Sequence, residues 1–220
     1  MPRPGAGTQP LAFDPAPALR HLCAADPVLA GLIDACGPPD FEVDPERASR
    51  DHYAALLRAI VGQQLSTKVA AIIWGRVLER YDGRPPTPQQ ILDDDSDDLR
   101  TSVGMSRAKA TYVRSLAEHV LSGELDLDHA ATLSDEELIA ELTAVNGLGE
   151  WTAHMFLMFQ LERPDVLAVG DLGVRRAVQI SYGLDDLPPR KQLEELGEPW
   201  RPYRSVACRL LWHSLDNAPG

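Results

Sequence analysis

Residues Glu141–Asp171 read ELTAVNGLGEWTAHMFLMFQLERPDVLAVGD, and the fold is decided by how this stretch turns. Just upstream, Ser134 followed three residues later by Glu137 is a capping-box pattern, and Leu138, Ile139 and Leu142 recur at helical spacing. The stretch therefore opens as a helix, which Asn146 and Gly147 stop. After one residue Gly149 leads into an apolar run of Trp151, Ala153, Met155, Phe156, Leu157, Met158, Phe159 and Leu161. That run is apolar on nearly every side, the pattern of a helix buried within a domain. The order is helix, two-glycine hairpin, helix.

Glycines let such a hairpin take left-handed backbone angles and leave no side chain between its amides and an approaching anion. Unpaired N–H groups at the start of the second helix, with the positive end of its dipole, then offer a phosphate site. An ordinary helix–glycine–helix connection has the same spacing. A helix from Glu150 to Leu161 carries the chain about 18 Å from the hairpin. The extended reach of residues 162–170, at roughly 3.3 Å each, suffices to bring it back, so that Asp171 can face the hairpin's entrance.

Val145–Ala153, Val-Asn-Gly-Leu-Gly-Glu-Trp-Thr-Ala, resembles the hairpin of the helix-hairpin-helix (HhH-GPD) superfamily of DNA glycosylases. Its Trp-Thr-Ala ending looks like the branch that removes alkylated purines, of the 3-methyladenine DNA glycosylase II type. In that superfamily an essential aspartate heads the helix after the hairpin unit, the place of Asp171 here. The resemblance covers Ala18 to Asp216, with its firm motifs in Gly62–Ser66, Val145–Ala153, Asp171 and Trp200–Trp212. It implies an all-α fold of two helical lobes flanking a cleft. Residues 18–50 with 162–220 would form the terminal lobe and 51–161 the central one, after a loose tail over 1–17.

The resemblance also distributes roles. Asp171 would be catalytic, and Trp151, Met155 and Trp212 would line the base pocket. Gln64 is the first choice, and Gln63 the second, for the wedge that fills the stack when a base is extruded, although paired glutamines at a turn are also ordinary loop residues. Amides near Gly147 and Gly149 and the Thr152 hydroxyl would meet the DNA backbone. Main-chain carbonyls of Thr143, Val145 and Leu148 would hold a monovalent cation, Na+ or K+. No cofactor is expected for catalysis. Bifunctional relatives carry a lysine two residues after the second hairpin glycine. Trp151 stands there, so hydrolysis without strand cutting is expected. Two departures point to a wider or less aromatic pocket. The residues before Ala18 are too few for the N-terminal β domain of some bacterial members, and Met155 replaces an aromatic of some relatives.

Composition sets bounds on this reading. The chain has 220 residues and the balanced content of a soluble globular protein. Nothing suggests a membrane span or signal peptide, so a cytoplasmic, nucleoid-associated monomer is expected. Cys23, Cys36 and Cys208 are far apart and form no metal-ligand spacing, which excludes the four-cysteine iron–sulfur loop of some relatives. The formal net charge of -12 counts against DNA binding, because that affinity comes largely from cations that displace counterions. Much of the acid lies in Asp93–Asp98 and Asp185–Glu198, which read as solvated surface away from DNA.

The rest of the chain reads as helices with no convincing strand. Ala18–Ile33 is one helix, or two broken at Asp26-Pro27, and Phe41–Ser49 is a linker. Tyr53, Leu56, Leu57, Ile60 and Val61 stripe the next helix. Val69, Ile72, Ile73, Val77 and Leu78 stripe another, capped by Ser66, and Trp74 reads as core. Pro88–Leu92 starts a short helix. Ser106 caps a longer one on which Lys109 and Arg114 read as exposed cations. Beyond Asp171 a helix holds Val174, Ala177, Val178 and Ile180, and the closing helix carries Leu210, Leu211 and Trp212.

Breaking an N-glycosidic bond passes through a sugar cation, which needs a nearby negative charge and a water, as in sugar hydrolases. Asp171 can supply that charge, and a helix N-terminus favours a carboxylate there. By itself it also reads as a plain cap. A flipped alkylated purine is cationic and leaves without protonation, and tryptophan faces attract it by about 0.5–2 kcal/mol each. The expected partner is damaged double-stranded DNA, with modest, salt-sensitive affinity. Two other functions fit the hairpin: a noncatalytic protein that recognises DNA structure, and a glycosylase for oxidised or mismatched bases.

Overall fold

The computed structural model describes residues 14–41 and 51–217. Most of the expected tail and of the expected Phe41–Ser49 linker lies outside them. Every regular element among the described residues is helical. In chain order they are α1 (Pro15–Ala25), α2 (Pro27–Cys36), α3 (His52–Gly62), α4 (Thr67–Arg80), α5 (Pro88–Asp93), α6 (Ser96–Val103), α7 (Arg107–Ser122), α8 (Asp135–Ala144), α9 (Glu150–Phe159), α10 (Leu172–Ser181), α11 (Arg190–Gly197) and α12 (Arg204–Asp216). None is long and apolar enough to cross a membrane. α1 begins inside the expected tail because Asp14 accepts from the Ala16 N–H and Pro15 fits the first turn.

The chain divides into two compact units, Ser49–Phe156 and Met1–Ala48 with Leu157–Gly220. The boundary falls within α9 and not after Leu161, because the last turn of α9 packs with the terminal unit, where Phe159 stacks on Trp212.

In the central unit α3 packs on α4 and α7, and α5 and α6 pack on α7. The α3 stripe is buried as its spacing predicts. On α4 only Ile73 and Val77 are buried, whereas Val69 is 41% and Ile72 48% exposed, and Trp74 is only partly buried. Two cations expected at the surface instead end helices. Lys109 Nζ donates to the Val61 carbonyl in the last turn of α3, at 2.8 Å, and burial lowers its pKa. Arg114 donates to the carbonyls of Ile91, Leu92 and Asp94. Each satisfies carbonyls left open at a helix C-terminus and complements its dipole.

The Asp93–Asp98 run is likewise only partly solvated surface. Arg80 makes a two-pronged pair with Asp94, holding that carboxyl below the usual carboxylate range, and the Tyr81 hydroxyl donates to it as well. Asp95 caps α6 through the Asp97 and Asp98 amides. This helix and α11 are short and polar, so neither shows in the hydrophobic pattern.

In the terminal unit α10 and α2 pack on α12, and α1 packs on α2. Asp26, 8% exposed, breaks α1 from α2. Its Oδ1 accepts from the Val28 and Leu29 amides. Its Oδ2 accepts from Trp200 Nε1 at 2.8 Å and from the Tyr182 hydroxyl. One carboxylate thus caps a helix and satisfies the indole of the fully buried Trp200. Asp26→Ala should lower stability by about 3 kcal/mol, since it removes a cap and strands two partly or fully buried donors. Urea unfolding followed by tryptophan fluorescence measures this, and a change under about 0.5 kcal/mol contradicts it.

Candidate functional site

The hairpin is built as the capping box predicts: Ser134 accepts from the Glu137 amide while the Glu137 carboxylate accepts from the Ser134 amide. α8 ends at Ala144, and the buried side chains of Val145 and Leu148 anchor the turn on both sides. Only Gly147 takes the left-handed backbone, at φ +93°. A Cβ there would lie 2.2 Å from Cγ of Tyr112, so the turn rests directly on that ring of α7. The Asn146 N–H donates to Ser115 Oγ on the same helix, at 3.2 Å. Gly149 has an ordinary backbone angle and open space around it. The two glycines therefore differ: one fits a conformation and a close contact, the other keeps the approach bare.

On the first turn of α9 Trp151 is 50% exposed, while Thr152 is 6% exposed. The helix is not buried all round. Trp151, Met155 and Phe159, four residues apart, form a less buried stripe, and Ala153, Phe156, Leu157 and Met158 are buried.

The two glutamines after α3 separate cleanly. Gln63 Nε2 donates to the Gly147 carbonyl at 2.8 Å, tying the hairpin to the end of α3. Gln64 is exposed and holds φ +57°, an unusual angle for a residue with a side chain. Gln63 is thus engaged with the hairpin, while Gln64 projects from the surface.

Asp171 sits at the end of a clipped loop in the terminal unit. Arg204 pairs with both oxygens of Asp165. Ser205 Oγ accepts from the Val166 N–H and donates to the Arg163 carbonyl. The Asp171 N–H then donates to the Ala168 carbonyl at 2.9 Å, turning the chain into α10. Asp171 caps that helix, its Oδ1 accepting from the Val174 N–H at 2.7 Å. The same oxygen accepts from Trp212 Nε1 of α12 at 2.8 Å. Phe159 stacks on Trp212 with centroids 5.9 Å apart and planes 24° from parallel. The Arg209 guanidinium lies over the rings of both Phe159 and Phe41, at 5.2 and 5.3 Å.

The family model described as HhH-GPD superfamily base excision DNA repair protein matches residues 57–202. The chain belongs to this superfamily. Among HhH-GPD proteins, DNA-3-methyladenine glycosylase 1 of Schizosaccharomyces pombe is 32% identical over 194 residues, 87% of this chain and 84% of that protein. DNA-3-methyladenine glycosylase 2 of Escherichia coli is 28% identical over 74% of this chain and 58% of its own length. The Schizosaccharomyces pombe enzyme in complex with abasic DNA superposes with a TM-score of 0.80, covering 92% of this chain and 98% of that one. DNA-3-methyladenine glycosidase from Bacillus halodurans gives 0.78 at 36% identity, covering 92% of this chain and 91% of that one.

Of the residues singled out from sequence in this HhH-GPD chain, the structure brings Asp171 to Trp212 and Gln63 to the hairpin. Trp151 and Met155 lie with the hairpin in the central unit. Four residues that matter were missed: Tyr112, Gly173, Phe159 and Arg209. Gly173, two residues into a helix, carried a signal, because glycine there is costly without a reason. Gly147→Ala should destabilise the protein by about 2 kcal/mol or more, through the φ and the Tyr112 clash. Gly149→Ala should stay within about 0.5 kcal/mol of wild type. Thermal unfolding of the pair checks this, and equal losses contradict it.

Proposed function

We propose that this chain is a monofunctional DNA glycosylase that hydrolyses the N-glycosidic bond of alkylated bases flipped out of duplex DNA. The observation that carries the reading is a helix-capping carboxylate, Asp171, held in one orientation by an indole and a backbone amide, in a chain with an HhH-GPD hairpin. The names of the relatives, 3-methyladenine glycosylases from several organisms, point to the same substrate class.

Hairpin amides around Gly147 and Gly149, at the positive end of α9, bind a backbone phosphate. Gln64 fills the space vacated by the extruded base. The ring of Trp212, beside Asp171, offers a π face to a cationic purine. Such a base departs without protonation, and Asp171 steadies the positive charge left on the sugar until water adds. With tryptophan in the place of a lysine, no Schiff base forms and the abasic strand is left uncut. Carbonyls of Thr143 and Val145 lie at the end of α8, where the dipole favours a cation, and that of Leu148 lies in the turn that follows. The Val145 oxygen accepts from the Leu148 N–H and keeps a second lone pair. Such hard oxygen donors fit Na+ or K+, which would lessen the charge of a bound phosphate.

Because Lys109 and Arg114 are spent inside the protein, binding draws on amides more than on cations, and affinity is modest. Methylated duplex DNA incubated with wild type should release 3-methyladenine and 7-methylguanine, read by chromatography, with the strand intact on a denaturing gel. Asp171→Asn should lose at least about a hundredfold in rate while still binding DNA. Release of no base by wild type defeats the proposal, and equal release by both proteins removes Asp171 from the mechanism.

A further inference from the structure

We propose that Trp212 is a positioning residue for Asp171, acting through its indole N–H in addition to any stacking on a base, and that Gly173 is the residue that lets it reach. The kinetic part of this rests on the glycosylase reading; the geometric part does not.

A capping aspartate held only by its own helix can still rotate about its side-chain bonds. Here Oδ1 receives a second donor from a different helix, Trp212 Nε1 on α12, at 2.8 Å, beside the Val174 N–H at 2.7 Å. Two bonds from two directions fix the plane of the carboxylate. The approach of the indole depends on Gly173. A Cβ there would fall 2.9 Å from Trp212 Cδ1, 3.0 Å from Trp212 Nε1 and 3.0 Å from Asp171 Oδ1. Two of the three, Nε1 and Oδ1, are the bonding atoms themselves, so a larger residue wedges the pair apart. The backbone of Gly173 is not left-handed, so the glycine serves space and not conformation, at a position where it disfavours the helix. Phe159 fixes the plane of the indole by stacking, and Arg209 backs Phe159 in turn.

The chemical consequence is preorganisation. A carboxylate that must meet a charge appearing only in the transition state loses rate if it has to reorient at that moment. A ring that only stacks on the base acts mainly on binding. The two roles of Trp212 are therefore separable with phenylalanine, which keeps an aromatic face and removes the donor.

The test has two parts. In a proton–nitrogen spectrum of the DNA-free protein, the chain's four tryptophans give four indole signals, and the one missing in Trp212→Phe is that of Trp212. In Asp171→Asn, which keeps a good helix cap, that signal should move upfield as its charged acceptor is lost. If it stays in place, the bond is absent and the proposal fails, whatever the activity. In single-turnover and steady-state assays on methylated DNA, Trp212→Phe should lower kcat roughly tenfold to a hundredfold with KM within about twofold. In an Asp171→Asn background it should have no further effect. Gly173→Ala should reproduce the kcat loss. An unchanged kcat in Trp212→Phe, or a loss confined to KM, overturns the positioning role. Absence of base release from wild type would instead refute the glycosylase reading, with the spectrum still deciding the contact.

Discussion

A single carboxylate oxygen, Oδ1 of Asp171, receives the Val174 amide in the first turn of α10 and the indole N–H of Trp212 on α12. Much of the terminal unit can be understood as support for that geometry. The loop that delivers Asp171 is pinned to α12 by the Asp165–Arg204 pair and by Ser205, so the aspartate and the tryptophan are referred to the same helix. The indole is oriented by Phe159, and the helix below it lacks a side chain at Gly173. Farther off, Asp26 joins α2 to Trp200 and Tyr182. A buried carboxylate with several donors specifies one arrangement, because loss of any partner leaves a polar group stranded.

The central unit applies a similar economy to the hairpin. Tyr112, Ser115 and Gln63 fix the turn through a ring contact and two hydrogen bonds, none of which uses an amide beyond Asn146. The turn thus leads directly into the positive end of α9. An acidic protein can bind an anion this way. Three of its cations are engaged elsewhere, Lys109 and Arg114 closing helix ends and Arg80 paired with Asp94. Local dipoles can hold a phosphate that the net charge of -12 would repel at longer range.

Misreadings of the sequence share a cause. Lys109 and Arg114 lie on the polar side of a helix pattern, which says nothing of whether a neighbouring helix ends within their reach. Val69 and Ile72 fit an apolar stripe, yet α4 is covered along only part of that stripe. α6 and α11 bury little, α6 being held by the Asp95 cap and a charge pair and α11 carrying charge pairs alone, so hydrophobic periodicity passes over them. The apolar run of α9 was legible as a helix, but its Trp151–Met155–Phe159 stripe differs from the rest only in what lies against it.

By itself the sequence determined the all-helical class, most helix starts, the two-glycine turn and the candidate aspartate at the head of α10. These are local matters, settled within four or five residues by capping side chains, by spacing and by the freedom of glycine. Only the tertiary structure decided which glutamine is tethered, why Gly147 and Gly173 admit nothing larger, and which donor holds the carboxylate. Those outcomes depend on residues far apart in the chain, such as Asp171 and Trp212 or Gln63 and Gly147. No local pattern encodes a contact that exists only once helices have packed.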